Sequence, residues 1–136
     1  METIRTFYLG ELRTKAMHTK SGYELITDVP KEHGGKGESF SPTDLFCASL
    51  VSSMLSVMAG AARNPAFGGS IDGIKVRTTK IMKENPHSVS EVIVEFDLPK
   101  NNFTVEQKKI LETAALNSQV AKSLNTDLKQ TVTFNY

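Results

Sequence analysis

After Phe46 the chain runs to Ala62 without a single charged side chain, and the residues just ahead of this run carry a helix start. Ser41 is placed to accept hydrogen bonds from the open amides of a first turn, Pro42 suits the first helical position, and Asp44 completes an S-x-x-D capping box. Leu45, Phe46, Cys47, Leu50, Val51, Met54, Leu55, Val57 and Met58 fall on nearly every side of a 3.6-residue period. No wide polar stripe is left to face water, so the helix is expected to be buried all round. Its length nearly allows a membrane span, but Ser49, Ser52, Ser53 and Ser56 interrupt it. Aromatic belts and basic flanks are missing, and the expectation is no membrane association.

Around this helix the periodicity changes to that of strands. Thr6 to Met17 carries interspersed apolar residues, Lys20-Ser21-Gly22 reads as a turn, and Tyr23 to Thr27 returns. Val29 to Phe40 and Arg63 to Gly73 are glycine-containing loops. Ile74, Val76 and Thr78 alternate with Lys75, Arg77 and Thr79. After Asn85-Pro86-His87-Ser88, Val92, Val94 and Phe96 alternate with Glu91, Ile93 and Glu95. Pairing the two strands predicts that Lys75, Arg77 and Lys80 lie near Glu91 and Glu95. Thr104 and Gln107 form a second capping box, a short helical turn follows Asn117, and Gln130 to Tyr136 closes the chain as a strand. The order β-β-α-β-β-α-β is an α+β layout with an antiparallel sheet and one long buried helix, read as a single domain over residues 1–136.

The 136 residues carry a formal charge of +1, and lysines and arginines are spread among the acids. No nucleic-acid partner is expected from such a surface. Met1-Glu2-Thr3-Ile4-Arg5 leads directly into an alternating segment, so no signal peptide is read. One cysteine permits no internal disulfide, which fits a cytoplasmic protein.

Several segments in order resemble the OsmC/Ohr family, whose members reduce organic hydroperoxides with a cysteine pair. They are Tyr8-Leu9-Gly10-Glu11-Leu12-Arg13-Thr14, Ile26-Thr27-Asp28-Val29-Pro30, the Gly34-Gly35-Lys36-Gly37-Glu38 lip, the S-P-T-D-L-F helix start and Val120-Ala121-Lys122-Ser123-Leu124. Together they cover most of the chain. The resemblance implies an intertwined homodimer with two central helices between two sheets and an active site at each subunit boundary.

The departures are chemical. With S-P-T-D-L-F aligned, the family's first reactive cysteine falls on Ser53, and its second, the start of a C-P-V-x-x-S-L pattern, falls on Ser118. A peroxidatic cysteine works through a nucleophilic thiolate and a reversible sulfenic acid that condenses with a second thiol. Serine supplies neither step, since its hydroxyl needs a positioned base and has no comparable redox ladder. The family's arginine and acid, which hold thiolate and peroxide, have Lys20 and Asp44 as nearest equivalents. Lys20 reads equally as a solvated turn lysine and Asp44 as a helix cap, and an ammonium does not replace a guanidinium fork. Cys47 lies six residues before Ser53, about 120° around the helix, and reads as an inert apolar residue or as a one-cysteine peroxidase centre.

Other signals are weak. The glycine lip lacks the G-x-x-x-x-G-K-[ST] spacing and is expected to be flexible, able to move as a lid or hold an anion. His18, His33 and His87 have no paired ligand spacing, so neither metal nor cofactor is expected. Ser53 with His33 as a hydrolase pair lacks the G-x-S-x-G elbow. Three functions stay open: an OsmC-like protein without dithiol peroxidase activity that binds a small hydrophobic ligand, a hydroperoxide reductase using Cys47 or one whose natural cysteines were replaced, and a structural homodimer. Phe40, Phe46, Leu50, Met54 and Met58 are the candidate pocket walls, and they serve equally well as packed core.

Overall fold

Gly10, Glu11 and Leu12 all have left-handed backbone angles, with φ of 83°, 54° and 64°. This folds the N-terminal segment into a hairpin that carries no Asn-Gly signature. Strand β1 (Ile4–Gly10) pairs antiparallel with β2 (Arg13–His18), Tyr8 opposite Thr14, and the Tyr8 hydroxyl accepts the Leu12 N–H at 3.2 Å. What the alternation presents as one long strand from Thr6 to Met17 is therefore two. After the Lys20-Ser21-Gly22 turn, β3 (Glu24–Thr27) pairs with β2, giving a three-stranded sheet in the order β1-β2-β3.

The computed structural model describes residues 1–136 and divides into two units, Met1–Phe46 and Cys47–Tyr136. In the first unit β1 exposes apolar side chains on both faces, with Ile4 and Tyr8 on one and Phe7 and Leu9 on the other. Such a strand leaves apolar area uncovered within its own unit.

Helix α1 (Pro42–Ala62) begins where the capping residues place it. The Ser41 hydroxyl accepts the Asp44 N–H at 3.1 Å, and the Asp44 carboxylate accepts the Ser41 N–H at 2.9 Å. By length and composition α1 is apolar enough to cross a membrane. Its Leu50, Met54 and Met58 are fully buried in the second unit. The expectation of burial on every side is not met: Ser49, Ser52, Ser56 and Gly60 are exposed. Their spacing of three and four residues gathers the small side chains on one face.

In the second unit β4 (Lys75–Lys83) and β5 (Ser88–Asp97) are antiparallel, Arg77 opposite Glu95. Helices α2 (Val105–Leu116) and α3 (Gln119–Ser123) then carry the chain over to β6 (Lys129–Asn135), which lies parallel to β5 with Val132 beside Val94. The sheet is mixed rather than antiparallel, because the crossover through two helices returns β6 in the direction of β5. Val92, Val94, Phe96 and Leu111 join the α1 core residues at zero exposure, and Phe96 stacks on Phe134 at 5.1 Å. Arg77 meets Glu95 at 3.6 Å and Asp97 at 3.1 Å, as the cross-strand charge pattern requires. Lys80 stands opposite core-facing Val92.

Candidate functional site

Ser118 is extended (φ −62°, ψ 154°), fully buried and at the N-cap of α3, where its hydroxyl accepts the Ala121 N–H at 3.3 Å. Half-buried Ser53 on α1, 67 residues before Val120, accepts the Val120 N–H at 3.2 Å. The two serines singled out by alignment thus meet at one place, the first turn of α3. Each satisfies an amide that has no partner inside the helix. The turn is fastened from its other side by the Gln130 side chain, which donates to the Ala121 carbonyl at 3.1 Å.

Chemically this is an arrangement of hydrogen-bond acceptors. No histidine of the second unit serves either serine: His87, the one histidine there, lies 3.2 Å from Glu84 in the β4–β5 turn. Cys47, 4 % exposed, belongs to the buried face of α1. Leu50, Met54 and Met58, proposed as pocket walls, are core side chains with no exposure.

In the first unit the residues that organise the lip are Asp28 and Arg13, which the sequence reading did not select. Asp28 is fully buried, and its carboxylate accepts the N–H groups of Val29 at 2.8 Å and Glu38 at 3.0 Å. The Glu38 N–H is the main reason its carboxyl is held below the usual range. The Val29 and Lys36 amides and the Arg13 charge add to this, against the opposing effect of burial. The Asp28 N–H also donates to the Phe40 carbonyl at 3.0 Å, and the Ser39 hydroxyl to the Ile26 carbonyl at 2.8 Å. Gly35 is packed so closely that a β-carbon would lie 1.9 Å from the Val29 oxygen. The lip is therefore a tied loop rather than a loose flap. The sequence signal was present in Thr27-Asp28-Val29-Pro30, an acid at the exit of an apolar strand just before a glycine-rich segment.

The lip's cation is also engaged. Lys36 binds Glu11 at 2.8 Å, which raises the lysine's pKa and lowers the acid's, and Arg13 binds Glu38 at 3.1 Å. These pairs fasten the lip to the β1–β2 turn. Lys20 stands exposed in the β2–β3 turn, and the guanidinium that engages the lip is Arg13. Asp44 serves the α1 cap. A polar cavity of about 310 Å³ lies at this end of α1, lined by Pro30, Lys31, Gly37, Ser39, Ser41 and Asp44. Phe40 projects from the locked loop with 58 % of its surface exposed, while Phe46 is half-buried. Nowhere do three or more His, Cys, Asp or Glu side chains gather as a metal site would need.

No protein-family model and no curated protein matches the sequence significantly. Solved structures do match. An osmotic-stress-induced and detoxification-response protein of Psychrobacter arcticus superposes with a TM-score of 0.93 at 39% identity, over 99% of this chain and 96% of that one. An organic hydroperoxide resistance protein OsmC of Legionella pneumophila gives a TM-score of 0.75 at 14% identity, over 100% and 98% of the two chains. An organic hydroperoxide resistance protein of Vibrio cholerae, with captopril bound in one of its active sites, gives 0.73 at 15% identity over 99% and 92%.

Proposed function

This chain belongs to the OsmC/Ohr family of hydroperoxide-stress proteins, and from that premise we propose that it keeps the family scaffold without the dithiol peroxidase cycle and binds a small hydrophobic ligand at a homodimer boundary. One observation carries the reading: the hydroxyls of Ser53 and Ser118 both accept N–H groups from the first turn of α3. From the resemblance of the S-P-T-D-L-F and V-A-K-S-L segments, we take these two positions as the equivalents of the family's cysteine pair. A dithiol cycle needs two thiols that can pair, whereas a pair of hydroxyls here caps a helix. Catalysis has been exchanged for local stability.

Self-association is supported by surfaces that each unit leaves open. The first has a strand apolar on both faces and the projecting Phe40. The second has the Ser49, Ser52, Ser56 and Gly60 face of α1. Small residues allow a second helix to approach closely. In the proposed boundary pocket Phe40 and Phe46 supply the walls that contact the ligand. The hydrophobic class of ligand follows from these aromatic walls. The bound captopril of the Vibrio cholerae protein shows that a relative's site admits a small organic molecule.

The alternative, a reductase that uses Cys47, requires a thiol that peroxide can reach, and the thiol's 4 % exposure in the chain speaks against it. The test is loss of cumene hydroperoxide in the presence of dithiothreitol. Wild type should match buffer, and the Ser53→Cys/Ser118→Cys double variant should turn over. Wild-type turnover abolished by Cys47→Ala overturns the proposal. Native mass spectrometry of freshly purified protein then tests the ligand, which should appear as added mass on a dimer.

A further inference from the structure

A separate cavity of about 400 Å³ opens in the second unit, and its lining includes Pro99, Lys100, Asn102, Phe103, Lys108 and Tyr136. It lies just past the carboxyl ends of the parallel strands β5 and β6, where Asp97 pairs with Asn135 and the Leu98 N–H donates to the Asn135 carbonyl at 2.8 Å. Loops that leave the carboxyl ends of parallel strands are where α/β sheets present ligand sites. The volume is that of a small-molecule pocket.

Its walls are set before any ligand arrives. Phe103 is buried between Phe67, at 6.4 Å, and Tyr136, at 5.9 Å. The Tyr136 hydroxyl donates to the Glu112 carboxylate at 2.8 Å, which fixes the ring. The Asn101 amide donates to the Ser70 carbonyl at 2.9 Å, and the next residue, Asn102, takes a left-handed turn with φ of 51°. The loop is pinned on both sides.

Two ammonium groups line this bowl. The Lys108 ammonium lies 4.6 Å above the Tyr136 ring centroid, and Lys100 gives a hydrogen bond to the Tyr136 main-chain oxygen. Neither lysine is paired with an acidic side chain, and an ammonium has three donors, so both keep donors for a ligand. The nearby acids are hydrogen-bonded elsewhere: Asp97 to Arg77 and Asn135, with the Lys100 charge the smallest of the effects on its carboxyl, and Glu112 to Tyr136.

We propose that this cavity is a second binding site, for a small planar organic carboxylate whose anionic head meets Lys100 and Lys108 and whose flat body lies against Pro99, Phe103 and Tyr136. Two ammonium groups select the anion, and the aromatic floor distinguishes an organic acid from an inorganic ion. The site is independent of the Ser53 and Ser118 region and of the reading given to it.

Sodium benzoate is the probe, followed by amide chemical shifts on the intact protein at constant ionic strength. Saturable shifts should centre on residues 100–103, Lys108 and Tyr136. Benzyl alcohol should give none there, and inorganic phosphate should bind at least about tenfold more weakly. Lys100→Met with Lys108→Met should weaken benzoate by about tenfold or more, while Lys109→Met, an equal loss of charge for each site changed, should leave it unaltered. Absence of saturation with benzoate overturns the proposal. So does phosphate binding as tightly as benzoate, or an equal loss in Lys109→Met. The comparison of benzoate with benzyl alcohol uses wild type alone and stands even if the lysine variants do not fold.

Discussion

Ser53 and Val120 are joined by a hydrogen bond of 3.2 Å in which the serine hydroxyl of α1 accepts the N–H of the α3 first turn. Together with the Ser118 cap on Ala121, this ties the central helix to the first turn of α3. The physical role visible at both serines is to satisfy helix amides.

Removing either hydroxyl should therefore destabilise the protein whatever its chemistry. Ser118→Ala loses a buried N-cap and should cost about 1 kcal/mol, with Ser53→Ala costing a similar or smaller amount. Urea unfolding with an unchanged slope measures this. Two substitutions without effect would mean that the caps contribute nothing.

The lip should tolerate no side chain at Gly35. A β-carbon there would lie 1.9 Å from the Val29 oxygen and 2.7 Å from the Val29 β-carbon, so backbone has to move. Gly35→Ala should cost about 1–3 kcal/mol, and limited proteolysis should cut first within residues 29–40. Wild-type protease resistance in this variant would show that the loop is not held as described.

Asp28 gives the lip a pH dependence of known sign. Its folded pKa lies below the unfolded value, so the native state favours the carboxylate. The stabilisation is complete above the unfolded pKa of about 3.9 and is lost as pH falls through the folded value. The stability difference between wild type and Asp28→Asn should be constant above about pH 5 and shrink below about pH 4. A difference that persists undiminished to about pH 2 would remove Asp28 as the lip's anchor.

If copies of the chain meet along α1, a long cation on its small-residue face should separate them. Ser56 is exposed, so Ser56→Arg should fold normally and change stability by no more than about 0.5 kcal/mol under conditions where the protein is monomeric. Sedimentation velocity should then show the variant dissociating at concentrations where wild type stays associated. Identical sedimentation of the two would place any interface elsewhere.

Local chemistry was the most legible part of the sequence. Ser41 with Asp44 and Thr104 with Gln107 each start a helix where their capping pattern predicts it, because a cap involves only residues three apart. The β4–β5 alternation likewise predicted the Arg77–Glu95 pairing. The β1–β2 turn was hidden because Glu11 and Leu12 take left-handed angles that their side chains do not advertise.

From the linear order of residues alone came the helix starts, the apolar character of α1 and the family resemblance, all properties of residue type and short spacing. Only the fold decided that β6 runs parallel to β5, that Asp28 gathers the lip's amides, that Ser49, Ser52 and Ser56 share one exposed face of α1, and that Ser53 and Ser118 serve the same helical turn. Those outcomes depend on contacts between segments far apart in the chain. Such contacts are selected by burial and by the need to pair every buried amide, a condition that no local spacing records.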